Sequence, residues 1–116
     1  MTKKLCDYSF KNLFYSCTSF FNRRWQLSII VFLSSGTKSF GEIYRFHEGI
    51  SKKVLCTNLK ELIDRNIIVR EEYFDGHIKK TEYKLTKQGK ELIYILEDLG
   101  AWGEKYYTED DYEKKK

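Results

Sequence analysis

Ser51, Lys52, Lys53, Thr57, Asn58 and Lys60 fall within ten residues of one another. They mix ammonium groups with short hydrogen-bonding side chains. Lysines neutralise phosphates, while threonine and asparagine are short enough to meet the polar edges of bases. His77, Lys79 and Lys80 form a second basic group just after the dipeptide Asp75-Gly76. Ser39, ahead of the first group, completes the candidate set for contact with a polyanion. A solvated surface would use the same residue types, so these side chains alone leave both readings open. Catalytic patterns are lacking. No serine is flanked by nucleophile-elbow glycines, and neither GxGxxG nor P-loop spacing occurs. His47 and His77 lie far apart, without a carboxylate or cysteine at ligand spacing. No enzyme, no metal and no cofactor is therefore expected.

Charge is distributed unevenly along the 116 residues. Residues 1–90 hold 17 Lys/Arg against 9 Asp/Glu, and residues 91–116 hold 4 against 8. A basic body with an acidic end suits a polyanionic partner on one side and a different role for the C-terminus. The longest apolar run, Ile29 to Leu33, is five residues, against roughly 20 for a membrane helix. No membrane span or signal peptide is expected. Cys6, Cys17 and Cys56 are three in number and show no CxxC spacing. That argues against a disulfide scaffold or zinc site and for a reducing, cytoplasmic setting.

The apolar periodicity defines the elements that must position these groups. Phe10, Leu13, Phe14, Cys17, Phe20 and Phe21 trace one stripe of a helix over 7–22. Residues 23–35 read as a second helix, apolar on most sides and so central, ending at Gly36. Ser39 and Glu42 have capping-box spacing at the head of a short helix reaching about Phe46. After a break at His47-Glu48-Gly49, Ser51 opens a helix to about Arg65. Its inner face should hold Val54, Leu55, Leu59, Leu62 and Ile63, which puts Lys53, Thr57 and Lys60 outside. Asn66 ends it, as a residue that tolerates the left-handed backbone. Residues 67–74 and 77–85 should pair as a hairpin around Asp75-Gly76. Thr86 caps a last helix to about residue 107, carrying Leu92, Ile95, Leu96, Leu99, Trp102 and Tyr106. A single domain over 1–107 is expected, with 108–116 a charged, disordered tail.

Two short helices joined by a break and followed by a two-stranded hairpin form the plan of a winged helix-turn-helix. The fold class is thus α+β, mainly helical. Several blocks then resemble the HxlR-type transcriptional regulators of the MarR-like group. Arg24-Trp25 with Ile29-Ile30 is similar to that family's opening, and Phe40-Gly41-Glu42-Ile43 to its short helix. Gly49-Ile50-Ser51, Val54-Leu55, Leu59 and Leu62 resemble its recognition helix. Glu82-Tyr83, Leu85-Thr86 and Gly89 resemble its wing-to-helix junction, and Leu99 with Trp102 its last helix.

The resemblance implies a homodimeric regulator that binds double-stranded DNA at a near-palindromic operator. Helices 7–22 and 86–107 would build the dimer, and any small-molecule inducer is unspecified. Trp25 and Trp102 read as core or dimer packing rather than ligand stacking. Some members of the family are thiol sensors. Cys6, after Lys3 and Lys4 and near the first helix's start, suits that role; Cys17 reads as packing, and Cys56 lies at the edge of the basic side. There are three departures. The family's Cys-Pro pair before the tryptophan is missing, the hairpin has no proline, and Asn66 stands where a glycine is usual. A protein–protein adaptor built on the same fold remains the alternative.

Overall fold

The computed structural model describes residues 8–19 and 24–108, so Cys6, Phe20, Phe21 and residues 109–116 lie outside the described residues. The elements are α1 (Tyr8–Thr18), α2 (Gln26–Leu33), β1 (Lys38–Ser39), α3 (Phe40–Phe46), α4 (Lys52–Asp64), β2 (Ile68–Asp75), β3 (Ile78–Leu85) and α5 (Lys87–Tyr106). The order of helices and hairpin is the one the periodicity predicts. Strand β1 is an addition: it pairs antiparallel with β3, giving a three-stranded sheet in the order β1-β3-β2. Two residues are too short a segment for any alternation to reveal.

Local signals set the helix ends. Ser39 accepts from the Glu42 N–H at 3.1 Å and Glu42 accepts from the Ser39 N–H at 3.0 Å, the reciprocal capping box that opens α3. The Ser39 N–H, and after it the Ser39 hydroxyl, hold the Glu42 carboxyl below its ordinary value of 4.5. Ser51 caps α4 by accepting from the Val54 N–H. Asn66 leaves α4 with φ +61°, the left-handed turn expected of it. Thr86 caps α5 through the Gly89 N–H and donates to the Asn66 carbonyl at 2.7 Å. This junction lies so close that a Cβ on Gly89 would be driven into the Ile67 carbonyl oxygen.

Ile29, Ile30 and Leu33 of α2, Ile43 of α3, and Leu55, Leu59 and Leu62 of α4 close the core against Ile67, Ile68, Tyr83 and Leu85. Helix α2 is central but not enclosed, because Val31 is 53% exposed. Beside it the rings of Phe32 and Phe46 stack at 4.2 Å. Gln26, 1% exposed, donates to the Glu61 carboxylate at 2.8 Å and pins α2 to α4. Helix α1 is tied in by Arg65, which donates to the Ser16 carbonyl and to the Ser19 hydroxyl. Cys17 is exposed rather than packed in a core. Leu13, Phe14 and Tyr15 of α1, with Ile95, Leu99, Trp102 and Tyr106 of α5, are exposed in the single chain. Among the described residues, no helix is long and apolar enough to cross a membrane.

Candidate nucleic-acid interface

Helix α4 is held on three sides: by the Ser51 cap, by the Gln26–Glu61 bond, and by Leu55, Leu59 and Leu62, each nearly or fully buried. Its free face carries Ser51, Lys52, Lys53, Thr57 and Lys60, all exposed. Lys53 and Lys60 are two turns apart, about 10 Å along the axis. Lys53 forms no ion pair among the described residues. Lys52 extends over the ring of Tyr44 at 5.6 Å, and Lys60 lies 3.8 Å from Asp64, an exposed i,i+4 pair. Thr57 spends its hydroxyl proton on the Lys53 carbonyl, leaving its oxygen and methyl group outward.

Two expectations for α4 need correction. Asn58 is 8% exposed and donates its amide to the Val54 carbonyl at 2.8 Å, so it faces the core side and not a base edge. Val54, expected inside, is 40% exposed. The buried arc runs through Leu55, Asn58, Leu59 and Leu62, which leaves Val54 at its edge. Ser39 is half-buried and committed to its cap.

The hairpin differs from the expected wing in its turn. Asp75 pairs with Ile78, so the two-residue loop is Gly76-His77, not Asp75-Gly76. Gly76 has φ +67°, and a glycine at the first loop position is the type II′ pattern. Register fixes which side each lysine faces. Lys79 lies opposite Phe74, on the face that carries Ile68, Tyr83 and Leu85 into the core, while Lys80 lies opposite Tyr73 on the other face. The two lysines therefore cannot present one common basic edge.

Charge in the hairpin also cancels. Residues 68–85 hold Arg70, Lys79, Lys80 and Lys84 against Glu71, Glu72, Asp75 and Glu82, four of each. Glu72 bridges Arg70 and Lys79, and Glu71 meets Lys84 at 3.3 Å. Arg70 lies opposite Tyr83 in the register. Burial pushes that phenol up from its ordinary value of 10.0, and the guanidinium opposes the shift. Sequence reasoning missed the apolar character of the tip, where Phe74 is 71% and Ile78 61% exposed. Their isolation between charges was the available signal.

His47, in the break between α3 and α4, is buried with its Nδ1 against the Ile43 carbonyl, and Trp25, Phe32 and Phe46 surround its ring. Among the described residues, no group of three His, Cys, Asp or Glu side chains could hold a metal ion.

The family model described as HxlR-like helix-turn-helix matches residues 20–111. The regulatory protein MalR of Fusobacterium mortiferum is 38% identical over 87 residues, covering 74% of this chain and 81% of MalR. The crystal structure of a MarR-family transcriptional regulator from Enterococcus faecalis is 34% identical and covers 91% of both chains, with a TM-score of 0.76. The transcriptional regulator YodB of Bacillus subtilis is 33% identical over 96 residues, 83% of this chain and 85% of YodB. The structure of reduced YodB covers 89% of this chain and 95% of its own, with a TM-score of 0.72. Quinone-bound and diamide-treated forms of YodB have the same fold.

Proposed function

The chain belongs to the HxlR-like helix-turn-helix family, and from that membership we propose that it acts as a homodimer whose two α4 helices read a near-palindromic operator. It is a DNA-binding transcriptional regulator of winged-helix fold, not an enzyme. The exposed face of α4 carries the rest of the reading. Lys52, Lys53 and Lys60 supply phosphate or guanine contacts, and Thr57 supplies a base contact. Ser51 and the first-turn N–H groups add partial positive charge for a phosphate. His77, Lys79 and Lys80 are the hairpin's polar contacts, on opposite faces for the two lysines. The exposed apolar faces of α1 and α5 pair with those of a second copy, which spaces the two α4 helices by about one turn of duplex, ~34 Å. The protein works in the cytoplasm, where the DNA lies.

Responsiveness to oxidants or electrophiles belongs to the same reading, supported by the likeness to YodB, whose structures include quinone-bound and diamide-treated forms. Cys6 is the proposed sensing thiol, with Lys3 and Lys4 as the neighbours that favour its thiolate.

Sedimentation of the purified chain, with binding to its own upstream DNA across a salt series, tests the proposal. A dimer whose log K falls linearly with log salt is expected, because phosphate contacts release counterions. A salt-independent or undetectable interaction would return the reading to a protein–protein adaptor. Cys6→Ser should bind DNA like the parent and keep binding in diamide; loss of binding in diamide would move the sensor to Cys17 or Cys56.

A further inference from the structure

We infer that Tyr44 is a positioning residue for DNA binding: its ring holds the Lys52 ammonium where α4 begins, ready for a phosphate. This rests on the reading of α4 as the DNA-contacting helix and adds a residue of α3 that the reading leaves out.

Lys52 is the first residue of α4, directly after the Ser51 cap. Its side chain is exposed, yet its ammonium lies 5.6 Å from the centroid of the Tyr44 ring, within the roughly 6 Å over which a ring face attracts a cation. The ring is itself held. Tyr44 is half-buried, and one turn back in α3 the ring of Phe40 lies nearly parallel to it, at 6.4 Å and 11°. Both rings pack against the core. Support therefore runs from the core to Phe40 and Tyr44, and from Tyr44 to the ammonium of Lys52.

The kind of partner decides what the contact does. Lys60 faces Asp64 at 3.8 Å, a carboxylate that offsets its charge. Lys52 has no ion pair among the described residues, and a neutral ring fixes its ammonium while leaving the charge whole. A lysine loses much side-chain freedom when it is pinned at an interface. With the ring in place, part of that loss falls on folding instead of on binding. Direction follows from the helix. Successive residues of α4 are about 100° apart around its axis, so Lys52 and Lys53 diverge, and the contact with Tyr44 turns Lys52 toward α3. In a helix-turn-helix the first helix of the pair crosses the backbone while the second enters the groove. An ammonium on the α3 side of α4 thus meets phosphate rather than a base edge.

The experiment uses the full chain and a duplex that it enriches from a random-sequence pool. Tyr44→Leu should weaken binding about threefold per subunit, within the roughly two- to fivefold that one exposed cation–π contact is worth, and so about tenfold for a dimer. The salt slope should stay that of the parent, because no phosphate contact is lost. Tyr44→Phe keeps the ring and should bind like the parent. Lys52→Ala should make the slope of log K against log salt shallower by about 1.8 in a dimer, with no base of the site losing its preference. In the Lys52→Ala background, Tyr44→Leu should cost nothing further, a result that a merely structural role for the ring would not give. One measurement needs no variant of Tyr44. In the free parent protein, isotope-labelled lysine should show the Lys52 ε-methylene protons moved upfield by the ring current, with Lys52→Ala identifying the signal.

Equal losses from Tyr44→Leu with and without Lys52 would overturn this inference, and so would an unshifted Lys52 signal in the free protein. Tyr44→Phe weakened as much as Tyr44→Leu would mark the hydroxyl as a direct contact and also overturn it. Parent-like binding by Lys52→Ala, while Lys53→Ala is weakened, removes this inference and leaves the α4 reading standing. If both lysine variants bind like the parent, the α4 reading itself fails.

Discussion

Lys53→Ala measures how the α4 face meets DNA. The side chain is exposed in the first turn of α4 and forms no ion pair among the described residues. If it neutralises one phosphate per subunit, a dimer loses two contacts, and the slope of log K against log salt becomes shallower by about 1.8. Between roughly 50 and 200 mM salt, that difference makes the parent's advantage about twelvefold larger at the low end. A monomer would show half the change in slope, about 0.9. If Lys53 instead reads a guanine, the slope moves less, the cost is about 1–3 kcal/mol, and preference relaxes at one position of each half-site. Fluorescence anisotropy over the salt series, with a panel of single-base substitutions, separates these outcomes. Lys60→Ala is the internal comparison. Its partner Asp64, at 3.8 Å, already offsets part of its charge, so its effect on the slope should be the smaller of the two. Equal slopes and equal affinities for Lys53→Ala and the parent would refute the assignment of this face to DNA.

Asn58→Ala should leave the sequence preference of the protein unchanged, because the amide faces Val54 and not solvent; a new preferred site in selection experiments would restore it as a base reader. Gly89→Ala should lower stability by about 2–4 kcal/mol, read from urea unfolding, since a Cβ there meets the Ile67 carbonyl. The Glu42 carboxyl is held below its ordinary 4.5, so its contribution is complete above that pH and is lost as pH falls through the lower folded value. Glu42→Gln should therefore flatten the loss of thermal stability between neutral pH and the acid range; an unchanged profile would show that the capping box carries no charge dependence.

The amino-acid sequence by itself determined everything decided within a few residues. Ser39 and Glu42 cap α3 because hydroxyl, carboxylate and two backbone N–H groups meet over a three-residue span. Asn66 turns left-handed at the end of α4 because its short polar side chain tolerates that backbone better than most. Helix periods and the β-branched run from Ile67 gave the element order and, with it, a winged helix-turn-helix. Tertiary structure decided what depends on the position of neighbours. A helical wheel gives the direction of each side chain but not the width or rotation of the buried arc, so only the packed core put Asn58 inside and Val54 outside. Strand β1 exists because β3 offers an edge to Lys38 and Ser39, not through any preference of those two residues. Lys79 and Lys80 look like one basic tip in the sequence. Pairing shifted the loop by one residue, to Gly76-His77, and the pleat sent the two lysines to opposite faces. Glu72, seven residues away along the chain, then came within 3.3 Å of Lys79, because electrostatic neighbours in a sheet are set by register and not by sequence distance.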